Sequence, residues 1–185
     1  MNETKTNVLL LMLMGIVILL MVTIIGLFIR MNQLQNNVVA ALEFLGAVSE
    51  PPGLEKGTKA PEFSLPDVRG QTVTLGDFAG QGVLLVFSST RCPACAELSP
   101  NLKTFSEEMD EMQVVMISRG SVEENQQLVE EQGFGFPVLI WDDGVARDYK
   151  VPGTPFLYVI NESGVVVSRG FANSLGQLKK LAEVE

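Results

Sequence analysis

The chain has 185 residues, with 22 acidic against 13 basic side chains for a net charge of −9, and it contains no histidine. That length suits about one domain with an extension. The missing His removes His-based triads and most zinc sites, and an acidic chain without a Lys/Arg cluster is not expected to bind nucleic acid.

Residues 1–7 form a polar tail. Residues 8–29 carry no charge, and only Gly15, Thr23 and Gly26 interrupt Leu, Ile, Val, Met and Phe before Arg30 ends the run. As a helix it would extend roughly 33 Å, enough for a hydrocarbon core of about 30 Å, so the pattern predicts a single transmembrane helix over residues 8–29. The alternative is a cleaved signal peptide, whose apolar core usually runs about 7–15 residues before a small-residue cleavage site. This run is longer and no such site follows directly. No cysteine precedes Cys92, which excludes a lipid-modified cysteine as the anchor.

Residues 30–56 read as a juxtamembrane stalk and linker. Leu34, Val38, Leu42 and Leu45 make a narrow apolar helical stripe, either a plain stalk or a dimerising one. Glu50-Pro51-Pro52-Gly53 breaks that helix.

Residues 57–185 form the second segment, with ten basic and eighteen acidic residues. Residues 63–65 and 72–75 predict a hairpin around 67–70. Residues 83–87, VLLVF, predict a central strand buried on both faces. Residues 93–109 read as a helix with Leu98, Leu102, Phe105 and Met109 on one face, and 114–117 as a second buried strand. Residues 121–132 predict a helix capped by Ser121 and Glu124. Residues 156–160 and 165–168 predict a hairpin around 161–164, where Asn161-Glu162-Ser163 also matches a glycosylation triplet and is read as a turn. An amphipathic helix over 175–184 closes an α/β domain with a mixed sheet.

The only cysteines lie in Cys92-Pro93-Ala94-Cys95, between a buried strand and a helix. A thiolate at a helix N-terminus meets the positive end of the dipole and unpaired N–H groups, which lower its pKa. Pro93 suits the first helical turn, and two intervening residues bring the sulfurs within bridging range. Cys92 reads as the exposed nucleophile and Cys95 as the buried resolving thiol. Arg91 either adds positive charge beside Cys92 or points to solvent, and Ser88, Ser89 and Thr90 offer hydroxyls for capping the helix. The pair alone cannot complete a zinc site, and a static bridge across so short a loop would stabilise little. Val151-Pro152-Gly153-Thr154-Pro155 sets Pro155 at the entry of the strand FLYVI.

Residues 57–102 followed by VPGTPFLYVI resemble the TlpA/ResA-like branch of the thioredoxin superfamily. The proline-containing CPxC, the N-terminal anchor and the closing GFANSLGQLKKL are most similar to its methylamine dehydrogenase accessory (MauD-like) group. The resemblance implies a thioredoxin-like mixed sheet flanked by helices and thiol–disulfide exchange outside the cytoplasm. It carries the redox cysteines onto Cys92 and Cys95, and a cis-proline with client binding onto Thr154 and Pro155. Three positions depart from the family pattern: Arg91 stands where Trp is common before the first Cys, Leu98 where heme-maturation reductases carry Glu, and Val86 where thioredoxin has an acidic residue. Glu97 lies one residue early and reads as a surface side chain.

The expected function is a membrane-anchored thiol–disulfide oxidoreductase that reduces, forms or isomerises disulfides. A peroxiredoxin-like peroxidase and a non-catalytic membrane-tethered scaffold are the alternatives. For a peroxidase, Ser89 and Leu85 stand where Thr and Pro are wanted. Expected partners are extracytoplasmic client proteins with cysteines, a membrane or soluble thiol donor or acceptor, and lipid around the N-terminal helix; no cofactor and no metal are expected. Lys5 and the amino terminus favour an inside N-terminus and Arg30 opposes it. The resemblance implies a bacterial cytoplasmic (inner) membrane, single-pass, with the redox domain on the extracytoplasmic side.

Overall fold

The computed structural model describes residues 12–24, 26, 27, 30, 52–109 and 111–183. The chain divides into two compact units, Met1–Glu50 and Pro51–Glu185. In the first, residues 12–24 are helical and expose their apolar side chains. The span predicted over 8–29 lies partly outside the described residues, and of the stalk and linker over 30–56, residues 31–51 lie outside them. Among the described residues no helix is long and apolar enough to cross a membrane.

The second unit is built on a five-stranded sheet. Its strands are β3 (Gly82–Ser89), β4 (Met112–Arg119), β5 (Val138–Ile140), β6 (Phe156–Ile160) and β7 (Val166–Gly170), in the order β5-β4-β3-β6-β7. β3 pairs parallel with β4 and antiparallel with β6. A separate hairpin of β1 (Ser64–Pro66) and β2 (Thr72–Thr74) precedes it. Asp67 shapes that hairpin's turn, its Oδ1 accepting from Arg69 N–H and Gln71 N–H at 2.8 Å each. Asn161 does the same in the β6–β7 turn, accepting from Ser163 and Val165 N–H at 3.1 and 2.9 Å.

The side-chain period of two divides the core into two layers. Val83, Leu85 and Phe87 face a cluster with Val115, Ile117, Tyr149, Phe156 and Tyr158. Leu84 and Val86 face the other side, against Leu98, Leu102 and Phe105 of α1 (Pro93–Glu108). The helix runs through Pro100, an exposed position. Asn101 Nδ2 donates to Glu97 O at 3.2 Å and Thr104 Oγ1 to Pro100 O at 3.1 Å, adding side-chain bonds around the interruption. α2 (Val122–Gln132) starts at the predicted capping box, where Ser121 Oγ accepts from Glu124 N–H at 3.1 Å and Glu124 Oε2 from Ser121 N–H at 2.8 Å. α4 (Leu175–Ala182) closes the fold. β5 and the short helix α3 (Asp143–Asp148) are additions to the sequence reading. β5 has three residues, too few to display a period, and α3 has six.

The segment ahead of the hairpin is fastened to the sheet. Leu54 is buried; its N–H donates to Tyr158 Oη at 3.1 Å and its carbonyl accepts from the Arg169 guanidinium. Further along, Gly57 N–H donates to Val166 O at 2.8 Å, Val166 N–H to Thr58 O at 2.9 Å, and Lys59 bridges Val165 beside β7. At the opposite edge Asp67 bridges Leu139 of β5, and Val68 N–H donates to Val138 O at 3.0 Å.

Candidate functional site

The site forms where β3 ends and α1 begins. Thr90 N–H donates to Arg119 O at 2.9 Å, holding the end of β3 against β4, and Cys92 N–H donates to Ser89 O at 3.2 Å. This turn makes Cys92 the N-cap of α1, extended at φ −98° and ψ 114°, with Pro93 in the first helical turn. The Cys92 sulfur accepts from Cys95 N–H at 3.2 Å, the position a capping hydroxyl normally fills. The expectation that Ser88, Ser89 or Thr90 caps the helix is therefore corrected. Ser89 Oγ accepts from Arg91 N–H at 3.3 Å, Thr90 Oγ1 donates to Glu124 Oε2 at 3.2 Å, and Ser88 is buried behind Cys95.

Both cysteines are free thiols, Cys92 half-exposed and Cys95 buried at 3%. The Cys92 thiol donates to Thr154 O at 3.3 Å. Thr154 leads into Pro155 through a cis peptide bond, as the family resemblance implied. A loop 62 residues away in sequence thus lies against the first sulfur.

The two sulfurs are electrostatically unequal. Burial disfavours the Cys92 thiolate, but hydrogen bonds from the Cys95 thiol and backbone, the Thr154 side chain and the Ala94 backbone outweigh it and hold its pKa below the ordinary thiol value. Burial pushes Cys95 up, and the Cys92 sulfur adds to that; the Ser88 hydroxyl, the Ser89 backbone and the Thr154 side chain oppose it without prevailing. Cys92 is thus the readier nucleophile of the pair.

Arg91 is turned to Glu124, its guanidinium 3.4 Å from the carboxylate and its side chain 83% exposed. Leu98 and Val86 are both buried in the α1 layer, so neither family carboxylate position supplies a proton carrier, and Glu97 is exposed. Ser118 and Asn125, behind this layer, were not singled out from sequence. Ser118 ends the otherwise apolar buried run of β4, which is a signal, whereas Asn125 is the one buried residue of a polar helix and carries none. Among the described residues no group of three or more Cys, Asp or Glu is arranged to hold a metal ion.

Residues 56–169 match the family model described as the AhpC/TSA family. The chain belongs to that family. It is 29% identical over 171 residues to the methylamine utilization protein MauD of Paracoccus versutus, covering 91% of this chain and 86% of that one. It is 33% identical over 116 residues to the thiol-disulfide oxidoreductase ResA of Halalkalibacterium halodurans, covering 60% and 65% respectively. The fold is thioredoxin-like. The thioredoxin domain of a thiol-disulfide oxidoreductase from Bacteroides vulgatus superposes with a TM-score of 0.63 at 21% identity, over 70% of this chain and 99% of that one. The chain is a thiol–disulfide oxidoreductase of the thioredoxin superfamily, in agreement with the ResA-like and MauD-like resemblance.

Proposed function

We propose that Cys92 and Cys95 are the redox pair, with Cys92 attacking and Cys95 resolving, and that Thr154 and Pro155 hold the client backbone beside them. The carrying observation is the position of the Cys92 sulfur, between Cys95 N–H at 3.2 Å and Thr154 O at 3.3 Å. In the reducing direction the Cys92 thiolate attacks one sulfur of a client disulfide and displaces the other as a thiolate, which takes a proton from solvent. Cys95 then loses its proton and attacks Cys92, releasing the second client sulfur and leaving a Cys92–Cys95 disulfide. The reverse sequence forms a client disulfide, and a further thiol donor or acceptor resets the pair.

The same reading makes residues 8–29 a membrane anchor and residues 30–56 its linker to the redox domain. It sets that domain on the extracytoplasmic side of a bacterial cytoplasmic membrane, acting on cysteine-bearing clients. The match to MauD supports a shared N-terminal segment, because its 171 aligned residues exceed the length of the redox domain. A peroxidase finds less support, since Ser89 Oγ is engaged by Arg91 N–H at 3.3 Å and Leu85 is buried.

The test is trapping in cells. Cys95→Ser should accumulate client proteins in mixed disulfides through Cys92, and Cys92→Ser should accumulate none. Equal trapping by both variants, or the reverse order, contradicts the assigned roles. A scaffold would show neither trapping nor cysteine-dependent reduction of insulin.

A further inference from the structure

Behind Cys95 lies a group of polar side chains with an incomplete set of hydrogen bonds. Ser88 on β3 and Ser118 on β4 are register partners in the parallel pair. Alternation along the two strands sends both to the layer that holds Leu84, Val86, Val114, Met116 and α1. Ser88, Ser118 and Asn125 of α2 are 3%, 0% and 0% exposed. Asn125 Nδ2 donates to Ser121 O at 3.0 Å and to Ser118 O at 3.4 Å, which ties the start of α2 to the end of β4. Two atoms here, Ser118 Oγ and Asn125 Oδ1, are buried and have no hydrogen-bond partner among the described residues. Buried polar atoms are nearly always satisfied, by protein or by an ordered water with two to four polar partners.

We propose that Ser88, Ser118 and Asn125 form a buried pocket that binds one water molecule and supplies the hydrogen bond the Cys95 sulfur needs while it is charged. The water donates to Asn125 Oδ1 and to Ser88 Oγ and accepts from the Ser118 hydroxyl. Ser88, oriented by that water, turns its hydroxyl proton toward Cys95. Val86 and Leu98 are apolar and buried, so no carboxylate there takes the Cys95 proton; the pocket stabilises the thiolate by hydrogen bonding, and the proton leaves to solvent. Groups bearing on the Cys95 thiol are Cys92, Ser88, Ser89 and Thr154, of which Cys92 alone titrates. Ser88 is a positioning residue rather than a catalytic one. In the resolving step Cys95 gives up its proton and its sulfur bonds to Cys92 Sγ. The bond between Cys92 and the client sulfur breaks with its electron pair on the client, which takes up a proton. No further reactant is required.

The inference rests on Cys95 being the resolving thiol, and one experiment separates the two claims. The reduced full-length protein is mixed with an aromatic disulfide whose thiolate is coloured, in stopped flow across a pH series. Attack by Cys92 releases a first equivalent and resolution by Cys95 a second. Ser88→Ala should leave the first release unchanged, slow the second about tenfold to a hundredfold, and move its pH profile upward. Ser88→Thr should restore both, and Asn125→Leu should slow the second release in the same direction. The unchanged first release reports that each variant is folded. A crystal structure should show a water within hydrogen-bonding distance of Ser118 Oγ and Asn125 Oδ1. The proposal is overturned if Ser88→Ala leaves the second release and its pH profile unchanged, if Ser88→Thr is as slow as Ser88→Ala, or if no water occupies the pocket. A second release that persists in Cys95→Ser overturns the role assignment itself, an outcome that no Ser88 variant can produce.

Discussion

The carbonyl oxygen of Thr154 lies 3.3 Å from the sulfur of Cys92, across 62 residues of chain. That contact joins the strand-end turn bearing the first thiol to the loop entering β6, two segments brought together by the antiparallel pairing of β3 with β6. It sets a backbone carbonyl of that loop beside the first thiol.

The inequality of the two thiols sets a pH dependence. Alkylation of Cys92 by iodoacetamide in the reduced protein should reach half its maximal rate below the pH at which an ordinary free thiol does. Cys95→Ala removes the donor thiol and should move that midpoint upward; a midpoint at or above the ordinary value in the parent protein contradicts the geometry. Stability of the dithiol form follows the same shifts. Cys92, held low, contributes above its unfolded-state value, and the contribution is lost as pH falls through the folded value. Cys95, pushed up, contributes below its unfolded-state value, and that is lost as pH rises through the folded one.

Capping at α2 separates two neighbouring groups. Ser121→Ala should cost about 1 kcal/mol in urea unfolding because it removes the acceptor for Glu124 N–H. Arg91→Ala should change stability less, since its ion pair with Glu124 is 83% exposed on the Arg side. The order of the two unfolding midpoints decides the matter.

Gly53 stands at φ +119°, and a Cβ there would run into Tyr158 Oη and come within 3.1 Å of the Phe156 ring. Gly53→Ala should destabilise the domain by about 1–3 kcal/mol. It should also increase proteolytic cleavage near Glu55–Lys56 if Leu54 loses its seat. Unchanged thermal unfolding together with unchanged cleavage would show that this turn relaxes freely.

The topology proposed for residues 8–29 has a chemical readout. With the outer barrier of the cell opened and an impermeant phosphine added, an impermeant maleimide should label Cys92 before the cytoplasmic membrane is broken. Labelling only after lysis sets the redox domain in the cytoplasm and removes the reading of extracytoplasmic clients.

Much of this fold was legible because its signals are local. The run VLLVF contains no polar residue and became the buried middle of β3, and Ser121 with Glu124 began α2 where the capping pattern lies. The closeness of Cys92 and Cys95 at the start of α1 was legible from their spacing and their place between strand and helix. Less visible was whatever depends on tertiary neighbours. Val138–Ile140 is too short to show a period, and its membership in the sheet follows from pairing with Met116, Ile117 and Ser118. The cap of α1 was expected from the hydroxyls of Ser88, Ser89 or Thr90, yet the turn puts the Cys92 sulfur on Cys95 N–H. Ser118 and Asn125 read as ordinary polar residues until the fold buried both.

The two bridges at the margins of the sheet, Lys59 with Val165 and Asp67 with Leu139, come from a single stretch of chain laid down before the sheet itself. An open strand edge is a template on which another polypeptide can polymerise, and proteins protect such edges by covering them. Here one leading segment screens both flanks, leaving the short β5 and the outer side of β7 little room to recruit a foreign strand. If the proposed cysteine-bearing clients dock beside Cys92, that cover limits their adding a strand to the sheet.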